Sequence, residues 1–198
     1  MNKRIYAFNR VFDDYVFLPG LRAYRFIFPQ FVRNRAADFW DNIDDISNIY
    51  NSLLQFKIER TAVSSWRFII NSTVGLLGLW DPATQWFEIE RANEDFGQTL
   101  GHWGVGPGPF LVLPIFGPSN LRDTTGLVAD FVAQKEINYL GVTEAESNND
   151  TGGWALKIFD ALNQRDQMSF RYGALGSPFE YNKIRYLFSQ QRQLLVDE

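Results

Sequence analysis

The sequence predicts an all-α fold in a single domain, on three observations. The chain has 198 residues, which is the size of one domain. Hydrophobic residues make up 45% of it and charged residues 21%, a balance that excludes disorder. Apolar residues recur at helical spacing, and no segment sustains the alternation of a half-buried strand. Residues 1–198 are therefore treated as one helical domain.

The amino-acid composition also restricts the kinds of partner that the protein is expected to bind. The 18 Phe, 8 Tyr and 6 Trp residues are more rings than one small core needs, which indicates a surface that meets something apolar. Mean hydropathy is −0.22, and no 18 apolar residues run together, so we expect no ordinary transmembrane helix. The net charge of −4 argues against a nucleic-acid partner, because phosphate binding needs a basic surface.

The first 35 residues are basic and aromatic. Aromatic residues alternate with arginines here, a composition typical of a membrane interface, although a helical pair on a protein surface would explain it as well. Pro19 and Pro29 are expected to break the segment into short helices. The basic residues are Lys3, Arg4, Arg10, Arg22, Arg25, Arg33 and Arg35, against Asp13 and Asp14.

Capping residues and the spacing of apolar residues predict the next elements. Four acids between Asp38 and Asp45 lie at the front of a helix predicted over 44–57, and we expect them to cap it rather than to bind a metal. Residues 66–80 are almost uncharged and could lie deep in one membrane leaflet or in a core. Asp81 and Pro82 then suit the cap and first turn of a helix over 82–90.

The central segment, residues 96–121, is the most distinctive. It carries no charge over 26 residues and contains six glycines and four prolines. Such a segment is too irregular for one helix and too apolar for a solvated loop, so its backbone should pack against protein or line a cavity. Helices are expected again over 124–135, 154–168 and 178–195, with a polar loop at 143–153.

A catalytic function has little support. With no Cys and one His, disulfides, thiol catalysis and thiolate metal sites are excluded, and we predict neither a metal nor a cofactor. Ser119, His102 and Asp123 could form a hydrolytic triad, which leaves an acyl-ester hydrolase as an alternative. However, the sequence around Ser119 lacks the second glycine of G-x-S-x-G.

At residues 94–109 the sequence EDFGQTLGHWGVGPGP closely resembles the central signature of the VacJ/MlaA lipoproteins. The resemblance runs from about Tyr6 to Gln193, with the motifs in the family's order. Further matching motifs are Tyr6-Ala7-Phe8-Asn9-Arg10, Asp38-Phe39 with Asn42, Arg67 to Thr73 with Gly75 and Gly78, Leu113-Pro114, Gly117-Pro118-Ser119, Leu121-Arg122-Asp123, and Ser177-Pro178-Phe179 with Arg185.

The resemblance implies a function without covalent chemistry. Members of this family are outer-membrane lipoproteins of Gram-negative bacteria, which take misplaced phospholipid from the outer leaflet and pass it to a periplasmic carrier, MlaC. They form a ring of helices with an amphipathic channel, embedded in the inner leaflet from the periplasmic side, beside trimeric porins of the OmpC/OmpF type. Their signal peptide and lipidated Cys are absent here, so we expect a truncated mature form.

The resemblance also assigns residues to the lipid path and its motifs. Arg122, Arg67 or the arginines of the first 35 residues could meet the lipid phosphate, although an ion pair with an Asp is the expected role of any one of them. A soluble periplasmic carrier of lipid or another hydrophobe is the other alternative. The assigned residues are Phe8, Asn9, Phe39, Asn42, Asn71, Phe96, Gly97, Gly101, Gly104, Gly106, Gly108, Pro109, Leu113, Pro114, Gly117, Arg122 and Asp123.

Overall fold

The structure is a computed structural model that describes residues 1–137, 151–168, 170–173, 177 and 179–197. These residues are mostly helical, which confirms the all-α prediction. The helices are α1 Asn2–Phe12, α2 Leu18–Ile27, α3 Gln30–Leu54, α4 Ile58–Thr73, α5 Pro82–Phe87, α6 Phe96–His102, α7 Leu121–Ile137, α8 Thr151–Gln167 and α9 Glu180–Asp197. Two short strands, β1 Phe110–Leu113 and β2 Gly117–Asn120, form a hairpin.

The chain stays helical through Pro19, contrary to the prediction of a break there. A π-helical turn at Asp13–Phe17 joins α1 to α2, and Pro19 lies in the first turn of α2. Proline is tolerated in a first turn, because its missing N–H would have no partner within that helix. At Pro29 the predicted break is confirmed, since Phe28 is extended with φ −105° and ψ 113°, as residues before proline usually are.

The acidic residues 38–45 lie inside α3, so the prediction that they cap a helix is wrong. α3 starts at Gln30 and runs for 25 residues. Its carboxylates instead pair with arginines, one within α3 itself, one on α4 and one at residue 91. The pairs are Arg35–Asp38 at 2.8 Å, Arg67–Asp45 at 3.4 Å, Arg91–Asp44 at 3.2 Å, Arg91–Asp45 at 3.6 Å, and Arg91–Asp41.

The predicted cap of α5 is confirmed. The Asp81 side chain accepts a hydrogen bond from the Thr84 backbone N–H at 3.0 Å, and Pro82 occupies the first turn. α5 ends at Phe87, three residues before the predicted end, because Glu88 adopts a left-handed conformation with φ 55°. α4 accounts for the first part of the apolar segment 66–80, and a turn over 74–80 for the rest.

The central segment divides into three parts. Its first residues form α6, residues 103–109 form an exposed turn, and the remainder forms the hairpin. The strands pair antiparallel, with Phe110 opposite Asn120 and Leu113 opposite Gly117. The expectation of few strands therefore holds for the described residues, with this hairpin as an exception that alternation did not reveal.

The three later helices lie close to their predicted ranges. α7 begins three residues before the predicted 124 and ends two after the predicted 135, and α9 replaces the predicted 178–195 with Glu180–Asp197. α8 replaces 154–168 with Thr151–Gln167. Residues 143–150 of the predicted polar loop lie outside the described residues.

The contacts between neighbouring elements form a closed circuit. α1 contacts β1, β2 contacts α7, α7 packs on α6, and α6 contacts α3; α8 then contacts both α3 and α2, which leads back to α1. Ion pairs fasten α8 in this circuit. Arg165 forks onto the Asp13 carboxylate at 2.7 and 2.9 Å, and Asp166 pairs with Arg25 and Arg33. This circuit agrees with the expectation of a helix ring, and the channel through it stays a prediction.

The interior of the protein is polar. Among the described residues, twenty polar or charged side chains are buried but only five hydrophobic ones: Leu21, Tyr24, Ala83, Val112 and Ile184. Large apolar side chains lie outside instead, including Phe26 at 92% and Phe116 at 74% exposed. None of the described helices combines the length and hydropathy needed to cross a bilayer. An apolar outer surface of this extent marks a region that meets an apolar partner.

Candidate functional site

A half-open cleft of about 210 Å³ lies between the hairpin, α7 and α9. One part of its wall is apolar and the other part carries charges, so it can hold a molecule that has both kinds of surface. The apolar lining consists of Leu113, Phe116, Pro118, Leu127 and Phe188. The polar lining consists of Asp95, Ser119, Asp123, Asp130 and Arg192.

Arg192 joins two of the carboxylates. Its Nη1 and Nη2 donate to Asp95 at 2.6 and 2.9 Å, and its Nε donates to Asp123 at 2.7 Å. Burial lowers the pKa of the Arg192 guanidinium, but the bonds and charges of the two aspartates outweigh burial and leave that pKa above its ordinary value. Burial raises the pKa of Asp95, but hydrogen bonds from Arg192 and Gln98 outweigh it and leave that pKa low. Arg192 and Asp95 therefore stay charged over the physiological pH range.

The other two acidic groups also have donors. Asp123 accepts from Asn120 at 2.7 Å and from the Arg122 Nε at 3.0 Å. Asp130 accepts from the Tyr50 hydroxyl at 2.7 Å, from the Asn51 amide at 3.0 Å and from the Phe96 backbone N–H at 2.9 Å. Each of the three carboxylates of the cleft therefore accepts hydrogen bonds from neighbouring side chains or backbone, which partly buried charge requires.

The structure brings few of the sequence-predicted residues into this cleft. Leu113 and Asp123 line it, while Gly97 and Gly101 lie behind it, where an added Cβ would meet Asp123 at 2.7 Å or Arg122 at 2.6 Å. These two glycines let α6 approach α7 and α9 closely. Arg122 is 5% exposed and pairs with Asp123, which is the ion-pair role expected of it.

Two of the predicted asparagines and one arginine support other elements. The Asn9 amide donates to the Leu113 carbonyl at 2.9 Å and its Oδ1 accepts from the Ile115 N–H at 2.9 Å, so Asn9 fastens the hairpin tip to α1. Asn71 donates to Asp81 and accepts from the Ala83 N–H, at the start of α5. Arg67 is likewise an ion-pair residue and not a residue of the cleft.

The remaining predicted residues lie elsewhere. Asn42 donates to Ser72 on α4 at 3.1 Å. Phe8 stacks on Phe12, Phe39 packs on Trp40, and the ring of Phe96 packs on Trp103. Exposed residues of the chain before the hairpin and at its tip are Gly104, Gly106, Gly108, Pro109 and Pro114; Gly117 begins β2 with φ 85°.

The site residues assigned from the sequence leave out seven of the ten residues that line the cleft: Asp95, Phe116, Pro118, Leu127, Asp130, Phe188 and Arg192. Asp95 does carry a local signal, because it precedes α6 and caps it by accepting from the Gln98 N–H at 2.8 Å. Its ion pair with Arg192 spans 97 positions, a distance that no local pattern reports.

The proposed hydrolytic triad is not assembled. The Ser119 hydroxyl lies 3.0 Å from the Thr124 hydroxyl, and Asp123 is occupied by Arg192, Arg122 and Asn120. No hydrogen bond joins Ser119, His102 and Asp123, all three of which are described residues. A nucleophile needs a base within hydrogen-bond reach, so this geometry gives the hydrolase alternative no support.

Comparisons with known proteins place the fold among lipid-transport lipoproteins. The sequence profile of a family described as MlaA lipoprotein matches residues 1–195. An uncharacterised protein of Rickettsia prowazekii is 36% identical over 196 residues, which is 98% of this chain and 75% of that protein. The intermembrane phospholipid transport system lipoprotein MlaA of Escherichia coli is 37% identical over 136 residues, which is 65% of this chain and 53% of that protein.

A solved structure resembles the whole chain. It was determined in work on the structural basis for maintenance of bacterial outer membrane lipid asymmetry. The two superimpose with a TM-score of 0.77 at 27% sequence identity, over 98% of this chain and 96% of the other.

Proposed function

Because the chain belongs to the MlaA lipoprotein family, we propose that it is the outer-membrane component of a phospholipid transport system. It removes mislocalised phospholipid from the outer leaflet and passes it to a periplasmic carrier, which maintains the lipid asymmetry of the membrane. The observation that carries this proposal is the inverted distribution of side chains, with a polar interior inside an apolar surface.

An inverted distribution suits a protein that sits within one leaflet. In water, the exposed rings of α1 to α3 would cost free energy, roughly 25 cal/mol per Å² of apolar surface. In hydrocarbon that cost disappears, and buried hydrogen bonds and ion pairs hold the interior together instead. No spanning helix is needed for such seating. We therefore place the protein in the outer membrane, embedded from the periplasmic side.

The cleft is the part of the lipid path that the described residues support best. Its apolar wall suits acyl chains, and the ion cluster of Arg192, Asp95 and Asp123 suits a polar headgroup. Leu113 and Asp123 are thus proposed as path residues. The other motif residues contribute by packing or capping, apart from the exposed glycines 104, 106 and 108, which remain candidates for a second portion of the path.

A charge on the apolar wall tests the path. Leu127 lines the cleft and is 44% exposed, so Leu127→Asp should fold normally. We expect it to slow outer-leaflet clearance at least about ten-fold, since an unpaired charge facing acyl chains raises the barrier by more than about 1.4 kcal/mol. Clearance is measured in cells as the phospholipid accessible at the surface.

The matched control is Thr125→Asp, an exposed position on the same helix that does not line the cleft. Equal clearance by both variants would contradict the proposed path. Flotation of the wild-type protein with liposomes separates membrane residence from the soluble-carrier alternative, which predicts that the protein stays at the bottom of the gradient.

A trimeric porin of the OmpC/OmpF type and the carrier MlaC are the proposed partners. Exposed rings such as Tyr15 and Phe26, which do not line the cleft, leave ample apolar surface for a membrane partner in addition to lipid. We expect a porin to copurify with the protein from native outer membranes in mild detergent, as identified by mass spectrometry. Recovery without any porin, also after crosslinking in cells, would leave phospholipid as the only supported membrane partner.

A further inference from the structure

The three carboxylates of the cleft differ in how their charge is balanced. Arg192 reaches Asp95 and Asp123 at 2.6 and 2.7 Å, and Asp123 also pairs with the Arg122 guanidinium at 3.0 Å. Asp130, by contrast, forms no ion pair with any lysine or arginine of the described residues, and its hydrogen-bond donors are all neutral. Even with Arg122 counted, three aspartates face two arginines, so one negative charge of the cleft has no positive partner.

Asp130 is partly exposed in the cleft, and two of its donors are in turn oriented by a further residue. Ser47 donates to the Tyr50 hydroxyl at 2.9 Å, so Tyr50 directs its own proton to Asp130 at 2.7 Å. The Asn51 Oδ1 accepts from Thr99 at 3.0 Å, which leaves its amide to donate to Asp130 at 3.0 Å. Neutral donors satisfy carboxylate oxygens but do not cancel the charge, so Asp130 is a positioned anion at the cleft wall.

The rest of the lining also favours an organic cation. Two aromatic rings, Phe116 and Phe188, line the same cleft, and the face of an aromatic ring attracts positive charge. A carboxylate has about four acceptor positions, of which Asp130 uses three, so a further N–H donor can still bind there. A metal ion fits less well, because no group of three or more His, Cys, Asp or Glu within the described ranges could hold one.

We propose that Asp130 selects phospholipids whose headgroup ends in a primary ammonium, such as phosphatidylethanolamine, over phospholipids with a net negative charge. The ammonium donates to Asp130, and an acyl chain lies along the apolar wall, to which Leu127 contributes from the same helix. A net anionic headgroup without an ammonium meets only the unbalanced negative charge. This inference rests on the proposed function, because it takes the cleft as part of the lipid path.

Photocrosslinking tests the selection at the cleft itself. Wild-type protein in mild detergent with EDTA receives equal amounts of phosphatidylethanolamine and phosphatidylglycerol, both with the same diazirine-bearing acyl chain. Mass spectrometry locates each crosslink and identifies the headgroup by its mass. At Phe188 we expect about ten times more phosphatidylethanolamine than phosphatidylglycerol, the effect of one charge-assisted hydrogen bond. At Phe26, which is 92% exposed on α2 and outside the cleft, the two lipids should crosslink equally.

Two variants remove the unbalanced charge in different ways. Asp130→Asn should bring the lipid ratio at Phe188 close to one. Leu127→Lys places an ammonium three residues before Asp130 on the same face of α7, where it can pair with that carboxylate, so the ratio should fall likewise. Leu127→Gln is the matched control, because it adds a polar side chain without a charge, and it should keep the preference. Position 127 is 44% exposed, so this pair should fold even if Asp130→Asn does not.

Equal crosslinking of the two lipids at Phe188 of the wild-type protein would refute the selection and leave the lipid path intact. A preference that survives in folded Asp130→Asn, or that is lost in Leu127→Gln as fully as in Leu127→Lys, would also overturn the role of Asp130. If millimolar ethanolamine removes phosphatidylethanolamine from Phe188, the carboxylate binds free amines and the lipid assignment is wrong. Crosslinks at Phe26 but none at Phe188, with either lipid, would refute the proposed path and the selection with it.

Discussion

Replacing Arg67 with methionine should lower the free energy of unfolding by about 3 kcal/mol. Arg67 is 1% exposed and lies 3.4 Å from Asp45 and 3.1 Å from Asp81, while it also donates to Thr84 and to the Ile89 carbonyl. Removing one partner of a buried ion pair typically costs about 3–5 kcal/mol. The lower end applies because Arg91 remains 3.6 Å from Asp45. Denaturant unfolding in mild detergent measures the loss.

The loss should depend on pH, with a sign that identifies Asp45. Burial raises the pKa of Asp45 to about 6, against the partly compensating charges of Arg67 and Arg91. The folded state thus holds a proton that the unfolded chain releases near pH 4, and the stability from this proton is lost as the pH rises through 6. Without Arg67 the pKa rises further, so the variant should lose more stability at pH 8 than at pH 5.5.

Arg22→Met is the matched control for this experiment, because Arg22 is an exposed arginine on α2. Surface changes of this kind are usually within about 0.5 kcal/mol of neutral. A destabilisation by Arg67→Met that is the same at both pH values would mean that Asp45 is not the group left unpaired.

Substituting Gly126 with alanine should lower the free energy of unfolding by about 2 kcal/mol. A Cβ at Gly126 would lie 2.3 Å from the backbone nitrogen of Gly97 and 2.7 Å from its Cα, so α6 and α7 would have to move apart. Overpacking against backbone typically costs about 1–3 kcal/mol or more. The better helix propensity of alanine returns only about 1 kcal/mol. The clash therefore dominates.

Gly106→Ala provides the comparison, since a Cβ there meets nothing within 4 Å. It should be neutral or slightly stabilising, because alanine restricts the unfolded chain. Both variants are measured by unfolding in the same detergent. Equal stabilities of the two would show that α6 and α7 can separate at no cost, and would remove close packing as the role of Gly97.

Local signals predicted much of the fold. Asp81 and Pro82 specified the start of α5 because a cap and a first-turn proline act within four residues. The predictions failed where contacts with residues far away in the sequence determine the local structure. The acids of α3 resembled a cap, but Arg67 and Arg91 reach them from other elements and make them stable inside a helix. No local rule contains that pairing.

The candidate site was less predictable than the fold for the same reason. Family motifs pointed to Leu113 and Asp123, and both line the cleft. Asp95 and Arg192 complete it from positions far apart in the chain, and Phe188 resembles any apolar residue of an amphipathic helix. The structure shows close approach of other elements at Gly97 and Gly101, which no local pattern predicted, and the role of the central glycines in a lipid path stays a prediction.

The polar interior has a consequence for which changes the chain can accept during evolution. A hydrophobic core mainly constrains the total volume of its side chains, so many apolar residues of similar size are accepted there. Here Asn51 must present an amide at a fixed angle, donating to Asp130 at 3.0 Å and accepting from Thr99 at 3.0 Å, so neither leucine nor aspartate of similar size can replace it. Outward-facing positions such as Leu77 need only an apolar side chain. Sequence drift should therefore concentrate on the outside, among apolar residues, while the centre changes slowly.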